Sequence, residues 1–118
     1  MKKLCAVCLA AVLSMSLAAV ASAAPQRLLM GTSSAGASYY ILGSGLAKVL
    51  SDNIKDMEIS VEVTGGPTTN IQLIEQGDME LGLSTVWLAG EGYNGTGWAK
   101  GKKYQEFRTL APLYSSVL

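Results

Sequence analysis

The chain has no histidine, and its two cysteines, Cys5 and Cys8, both fall within the first ten residues. Histidine is the commonest metal ligand and the commonest general base near neutral pH, so both roles lose their usual carrier. Charge is scarce as well. Charged residues make up 15% of the chain and the two signs balance, so nothing resembles a basic nucleic-acid surface. No internal repeat is present, and the one low-complexity stretch lies at the start.

That stretch explains the cysteines. Lys2 and Lys3 precede an apolar run from Leu4 to Val20, and Ala21-Ser22-Ala23 follows it. A basic segment, an apolar core and an A-x-A site predict a signal peptide over residues 1–23, cleaved before Ala24. The run is shorter than the ~20 residues a membrane-spanning helix needs. Cys5 and Cys8 lie inside it rather than after it, which argues against a lipoprotein signal. Cleavage removes both cysteines and two lysines. The remaining 95 residues then carry seven basic and nine acidic side chains, a net charge of −2. No disulfide, thiolate metal site, metal or cofactor is expected, and export removes ATP as a partner. Ninety-five residues suffice for one small core. The closing segment "LAPLYSSVL" reads as a strand running onward, so the chain is expected to be the N-terminal part of a longer protein.

The exported part alternates strand and helix. "RLLMG", Arg27 to Gly31, predicts a buried strand. Tyr39, Leu42, Leu46, Val49, Leu50 and Ile54 recur at helical spacing and predict an amphipathic helix. Gly43 and Gly45 weaken it, and close packing against a strand would account for them. Ile59, Val61 and Val63 alternate with polar residues and predict a second strand. Gly65-Gly66-Pro67 ends it. A second helix carries Ile71 and Ile74 and ends at Gly77. It starts either with Pro67 in its first turn or with a capping box from Thr69 to Gln72. "MELGLS", Met79 to Ser84, predicts a third strand, and Thr85 caps a short helix from Val86 to Glu91. "GYNGTGWAKGKK" is loop by composition. Phe107 to Tyr114 predicts a fourth strand, placed at an edge by Pro112.

Strands alternating with helices predict parallel crossovers and an α/β fold with a mainly parallel sheet. The loops leaving the carboxyl ends of such strands share one rim, and ligands bind where strand order reverses. Those loops read "TSSAGAS", "TGGPTTN" and "STV". They are rich in glycine and hydroxyls and contain no charge. Gly31 and Gly36 have Walker-like spacing, but Ala37 stands where the phosphate-binding lysine belongs, so a nucleotide is not expected. Glycines let backbone N–H groups approach a ligand, and converging helix N-termini add partial positive charge. Together they favour a small anion such as a carboxylate. Read structurally, the same residues would only form tight turns and caps. Tyr39 fits the apolar face of its helix, whereas Tyr40 is freer to reach the crevice. Trp87 would either wall a ligand or cover the sheet edge.

Three segments, "MGTSSAGASYYILGSGLAKVLS", "VEVTGGPTTNIQLIEQGDMELGLST" and "GYNGTG", together resemble the TAXI-type solute-binding proteins of TRAP transporters. The resemblance runs through nearly all of residues 27–118. It implies a type II periplasmic-binding-protein fold, a Venus flytrap of which this chain supplies part of the first lobe, with the second lobe missing. It also implies capture of a carboxylate or amino acid and delivery to an ion-gradient-driven membrane permease. The contacts it implies are Thr32, Ser33, Ser34, Ala35 and Gly36, then Tyr39 or Tyr40, then Thr68, Thr69 and Asn70, and finally Ser84, Thr85 and Trp87. The alternative within binding functions is a sensory receptor. A different class is an exported hydrolase using Ser33, Ser34 or Ser38, but its base would have to come from elsewhere and no G-x-S-x-G elbow is present. Tyr39, Tyr40, Trp87, Tyr93 and Trp98 could also form a cage for a quaternary ammonium.

Overall fold

A computed structural model describes residues 24–115. The expected leader, residues 1–23, lies outside the described residues. The elements are β1 (Gln26–Gly31), α1 (Ser38–Asn53), β2 (Met57–Glu62), α2 (Pro67–Gln76), β3 (Leu81–Gly82) and α3 (Val86–Asn94), followed by a 3-10 turn at Gly97–Ala99.

All strand pairing is parallel, in the spatial order β2-β1-β3. The chain steps from β1 to one side, then crosses back to the other. Right-handed crossovers running in opposite directions must place their helices on opposite faces, and the packing agrees. On one face Met30, Ala47 and Ile59 form a buried cluster, flanked by Leu28, Leu46, Leu50, Val61 and Leu81. This is the α1 side. On the other face, α2 lies so close that a Cβ on Gly31 would strike Met79 and Asn70, and one on Gly82 would crowd Asn70 and Ile74. A second cluster, Ile71, Ala99 and Tyr104, joins α2 to the segment after α3.

Several local expectations hold. Pro67 stands in the first turn of α2, and Gly77 closes that helix. The Thr85 hydroxyl caps α3 by accepting from Leu88 N–H at 3.2 Å. Gly43 is buried, and a Cβ there would stand 2.5 Å from Thr32 Cγ2, so close approach to the end of β1 explains that glycine. Gly45 faces open space and has no such reason.

Other expectations are corrected. The N-cap of α1 is Ala37, so the reading of the first rim loop as a helix cap fails: no side chain caps that helix. The third strand is only two residues long. Glu80 Oε2 accepts the Leu29 N–H at 2.7 Å, so a side chain takes the ladder position that longer pairing would have filled. Residues 107–114 form no strand. Arg108 Nη1 donates to the carbonyls of Gln105 and Phe107, Glu75 accepts the Glu106 N–H, and Pro112 has no N–H to give.

Candidate functional site

The carboxyl ends of the strands meet on one rim, and the order β2-β1-β3 puts the reversal point between β1 and β3. The loops leaving these two strands therefore part at the position where α/β sheets open a crevice. Beyond Gly31↔Gly82, the Leu83 N–H still donates to Gly31 O at 3.0 Å. Ser33 and Ser84 stand two residues past that last pair, on adjacent strands.

The hydroxyls of these two serines are shielded from solvent and have no hydrogen-bond partner among the described residues. A buried hydroxyl left unpaired costs about 1–3 kcal/mol. Two in adjacent loops, at the reversal point, are the strongest chemical signal on the rim.

The helices add to it. Neither α1 nor α2 has a side-chain cap at its start, and neither carries an acidic residue in its first turn. Their leading N–H groups keep both their donors and their partial positive charge. The start of α3 differs, because the Thr85 oxygen already takes one of its N–H groups.

Two expected contacts prove to be internal. Thr32 and Asn70 are both 0% exposed. Thr32 Oγ1 donates to Glu62 O at 2.8 Å, tying β1 to β2. Asn70 Nδ2 faces three carbonyls: Gly31 at 3.1 Å, Thr32 at 2.9 Å and Leu83 at 2.8 Å. Its Oδ1 accepts from Thr64 Oγ1 at 2.6 Å. Every polar atom of the Asn70 side chain is thus engaged with the protein, and the amide ties the strand ends together. The sequence carried a signal for this, because Asn70 lies beside Ile71 and one turn before Ile74 on the buried stripe of α2. Thr64 opens the rim loop "TGGPTTN" but is not among the expected contacts; its hydroxyl also lies 3.1 Å from Thr32 O and accepts the Gly66 N–H at 3.1 Å.

The remaining expected residues line the surface. Ser34, Ala35 and Gly36 are exposed, whereas Thr68, Thr69, Tyr39 and Tyr40 are half-buried. Burial, with Tyr114 nearby, pushes the Tyr39 phenol above its usual pKa of 10.0. Trp87 is 71% exposed beside Val86 at 83%, so the indole does not cover the sheet edge. Of the five aromatics considered for a cage, Trp98 stacks on Tyr104 and Tyr93 packs edge-on to Phe107. Both are committed to the second cluster and the tail.

Two recesses elsewhere contain none of the expected contacts. One lies between the end of α1 and the start of β2, and the other lies between α3 and residues 107–109. The rim itself is an open shelf of uncharged donors. The sequence pattern of the NMT1-like family matches residues 30–118, a span that includes all three rim loops. The chain therefore belongs to the NMT1-like family, a periplasmic-binding-protein-like family whose members bind solutes.

Proposed function

We propose that the chain is the solute-gripping part of a periplasmic receptor that captures a small organic anion or amino acid, with a glutamate-like carboxylate as its ligand class. The observation that carries this reading is the pair of unpartnered, water-shielded hydroxyls of Ser33 and Ser84 at the strand-order reversal. Hydroxyl donors and uncapped helix N-termini suit a carboxylate without a lysine or arginine. Around the pair, Ser34, Ala35, Gly36, Thr68 and Thr69 supply backbone and hydroxyl donors, and Tyr39, Tyr40 and Trp87 supply walls.

Magnitude argues for a second lobe. Micromolar affinity requires about 8 kcal/mol. Three or four hydrogen bonds to a charged group, at roughly 1.5–3 kcal/mol each, barely reach that before ordering costs. In this reading residues 1–23 are a leader cleaved before Ala24, and residues 24–118 belong to the first of two lobes that close on the solute. The TAXI-like segments extend the reading to a partner: the closed receptor delivers its solute to an ion-gradient-driven TRAP permease in the membrane.

A thermal-shift screen of the full-length protein against L-glutamate, dicarboxylates and betaines tests the ligand class. The proposal expects carboxylates to raise Tm and Ser33→Ala and Ser84→Ala each to reduce that rise. A response to betaines alone would overturn it. Loss of solute uptake on deletion of the permease subunits tests the transport step, and unchanged uptake would refute it.

A further inference from the structure

The ladder ends at Gly31, Glu62 and Gly82, yet residues just past the ends of all three strands, Thr32, Thr64 and Leu83, are held by one network. Asn70 reaches in from a helix, and its two amide protons serve three carbonyls of the β1 and β3 ends. Thr64, just past β2, faces two acceptors with a single proton. Asn70 Oδ1 at 2.6 Å is nearer than Thr32 O at 3.1 Å, so the amide oxygen takes it. A lone pair of the same hydroxyl receives the N–H of Gly66, the N-cap of α2. One threonine hydroxyl thus orients the Asn70 amide and the start of α2 together.

We infer that Thr64 and Asn70 are positioning residues for solute binding: they fix the spacing of the Ser33 and Ser84 hydroxyls without touching the solute themselves. This rests on the reading above that the rim takes a carboxylate. The physical reason is preorganisation. A site whose donors are held in place before the ligand arrives does not spend binding free energy on ordering them. Thr32 and Leu83, the residues immediately before the two serines, each supply a carbonyl to the Asn70 amide, so motion of that amide is transmitted one residue along to each hydroxyl.

The test uses Thr64→Val, which keeps the branched shape and removes the hydroxyl, with Thr64→Ser as rescue, both in the full-length protein. Two amides report the strand ends without any ligand: Thr32 N–H, bonded to Glu62 O, and Leu83 N–H, bonded to Gly31 O. Thr64→Val is expected to speed hydrogen exchange at both about tenfold while Leu28 and Met30 in β1 stay unchanged, and to weaken L-glutamate binding by calorimetry about tenfold. Thr64→Ser restores both. Equal acceleration across the whole of β1, or no change at Thr32 and Leu83, overturns the inference. The two readings separate cleanly. If Ser33→Ala and Ser84→Ala leave L-glutamate binding unchanged, the carboxylate rim is wrong, and the exchange measurement still decides whether Thr64 positions the strand ends.

Discussion

Replacing Asn70 by alanine removes the tie between the strand ends, and the structure allows its cost to be worked through. Three carbonyls lose a donor, but not equally. Gly31 O keeps the Leu83 N–H, and Thr32 O can take the proton that Thr64 releases from Asn70. Leu83 O has no other donor among the described residues, so it becomes a buried, unpaired acceptor at about 1–3 kcal/mol. The weakened bonds to the other groups add about 1 kcal/mol, and the small void left by a side chain with 0% exposure adds about another. The expected loss is about 3–5 kcal/mol. Small domains are stable by only about 5–15 kcal/mol, so this is a large fraction. Urea unfolding of the full-length protein, followed by tryptophan fluorescence, measures it through the shift in midpoint at unchanged slope. Asn70→Asp should lose at least as much at neutral pH, since a carboxylate oxygen would then face carbonyl oxygens. A loss below about 1 kcal/mol for Asn70→Ala would refute the reasoning, because it would mean that the three strand ends hold together without the amide.

Three further outcomes follow from individual residues. Gly45→Ala should stabilise the protein by about 0.5–1 kcal/mol, since the position faces open space in a helix, whereas Gly43→Ala should destabilise it by about 1–3 kcal/mol through the clash with Thr32; paired thermal melts give the opposite signs. The raised Tyr39 pKa means that folding favours the neutral phenol, so its contribution is complete below pH 10.0 and is lost as pH rises through the higher folded-state value. Stability measured from pH 9 to 12 should therefore fall more steeply in the native protein than in Tyr39→Phe. Trp87→Ala should change stability by less than about 0.5 kcal/mol, because the indole is 71% exposed, yet weaken L-glutamate binding measured by calorimetry.

Much of the fold was legible because local chemistry and final packing agree. Pro67 without its N–H suits a first helical turn, Thr85 carries a capping oxygen, and Leu46 and Leu50 of the α1 repeat flank the buried cluster, whereas Val49 and Ile54 of the same repeat are exposed. Segments failed where a side chain took over a backbone task. Glu80 occupies the ladder position at Leu29 and shortens β3, and the Glu106 N–H and the Gln105 and Phe107 carbonyls bond to Glu75 and Arg108 side chains rather than to a neighbouring strand. Period-two patterning reports a half-buried surface but not whether a partner strand exists.

The rim was legible as a cluster of uncharged donors but not in its division of labour. Sequence spacing cannot tell a hydroxyl that faces outward from one that meets a carbonyl on the next strand. Thr32 and Ser33 are adjacent and chemically alike, yet one is bonded to Glu62 O and the other is unpaired. Strand alternation separates them only once the register is known. Thr64 stands in the quoted rim loop, yet its linking role was hidden for a similar reason, since a threonine after an alternating strand looks like the next exposed polar residue.

In the proposed function, uncharged groups at one rim of the parallel sheet hold a negatively charged solute. The most direct measurement is a crystal structure of the full-length protein grown with L-glutamate. The account predicts a carboxylate oxygen about 2.6–3.0 Å from each of Ser33 Oγ and Ser84 Oγ. A carboxylate seated on an arginine or lysine away from this rim, with both serine hydroxyls still unpaired, would contradict it.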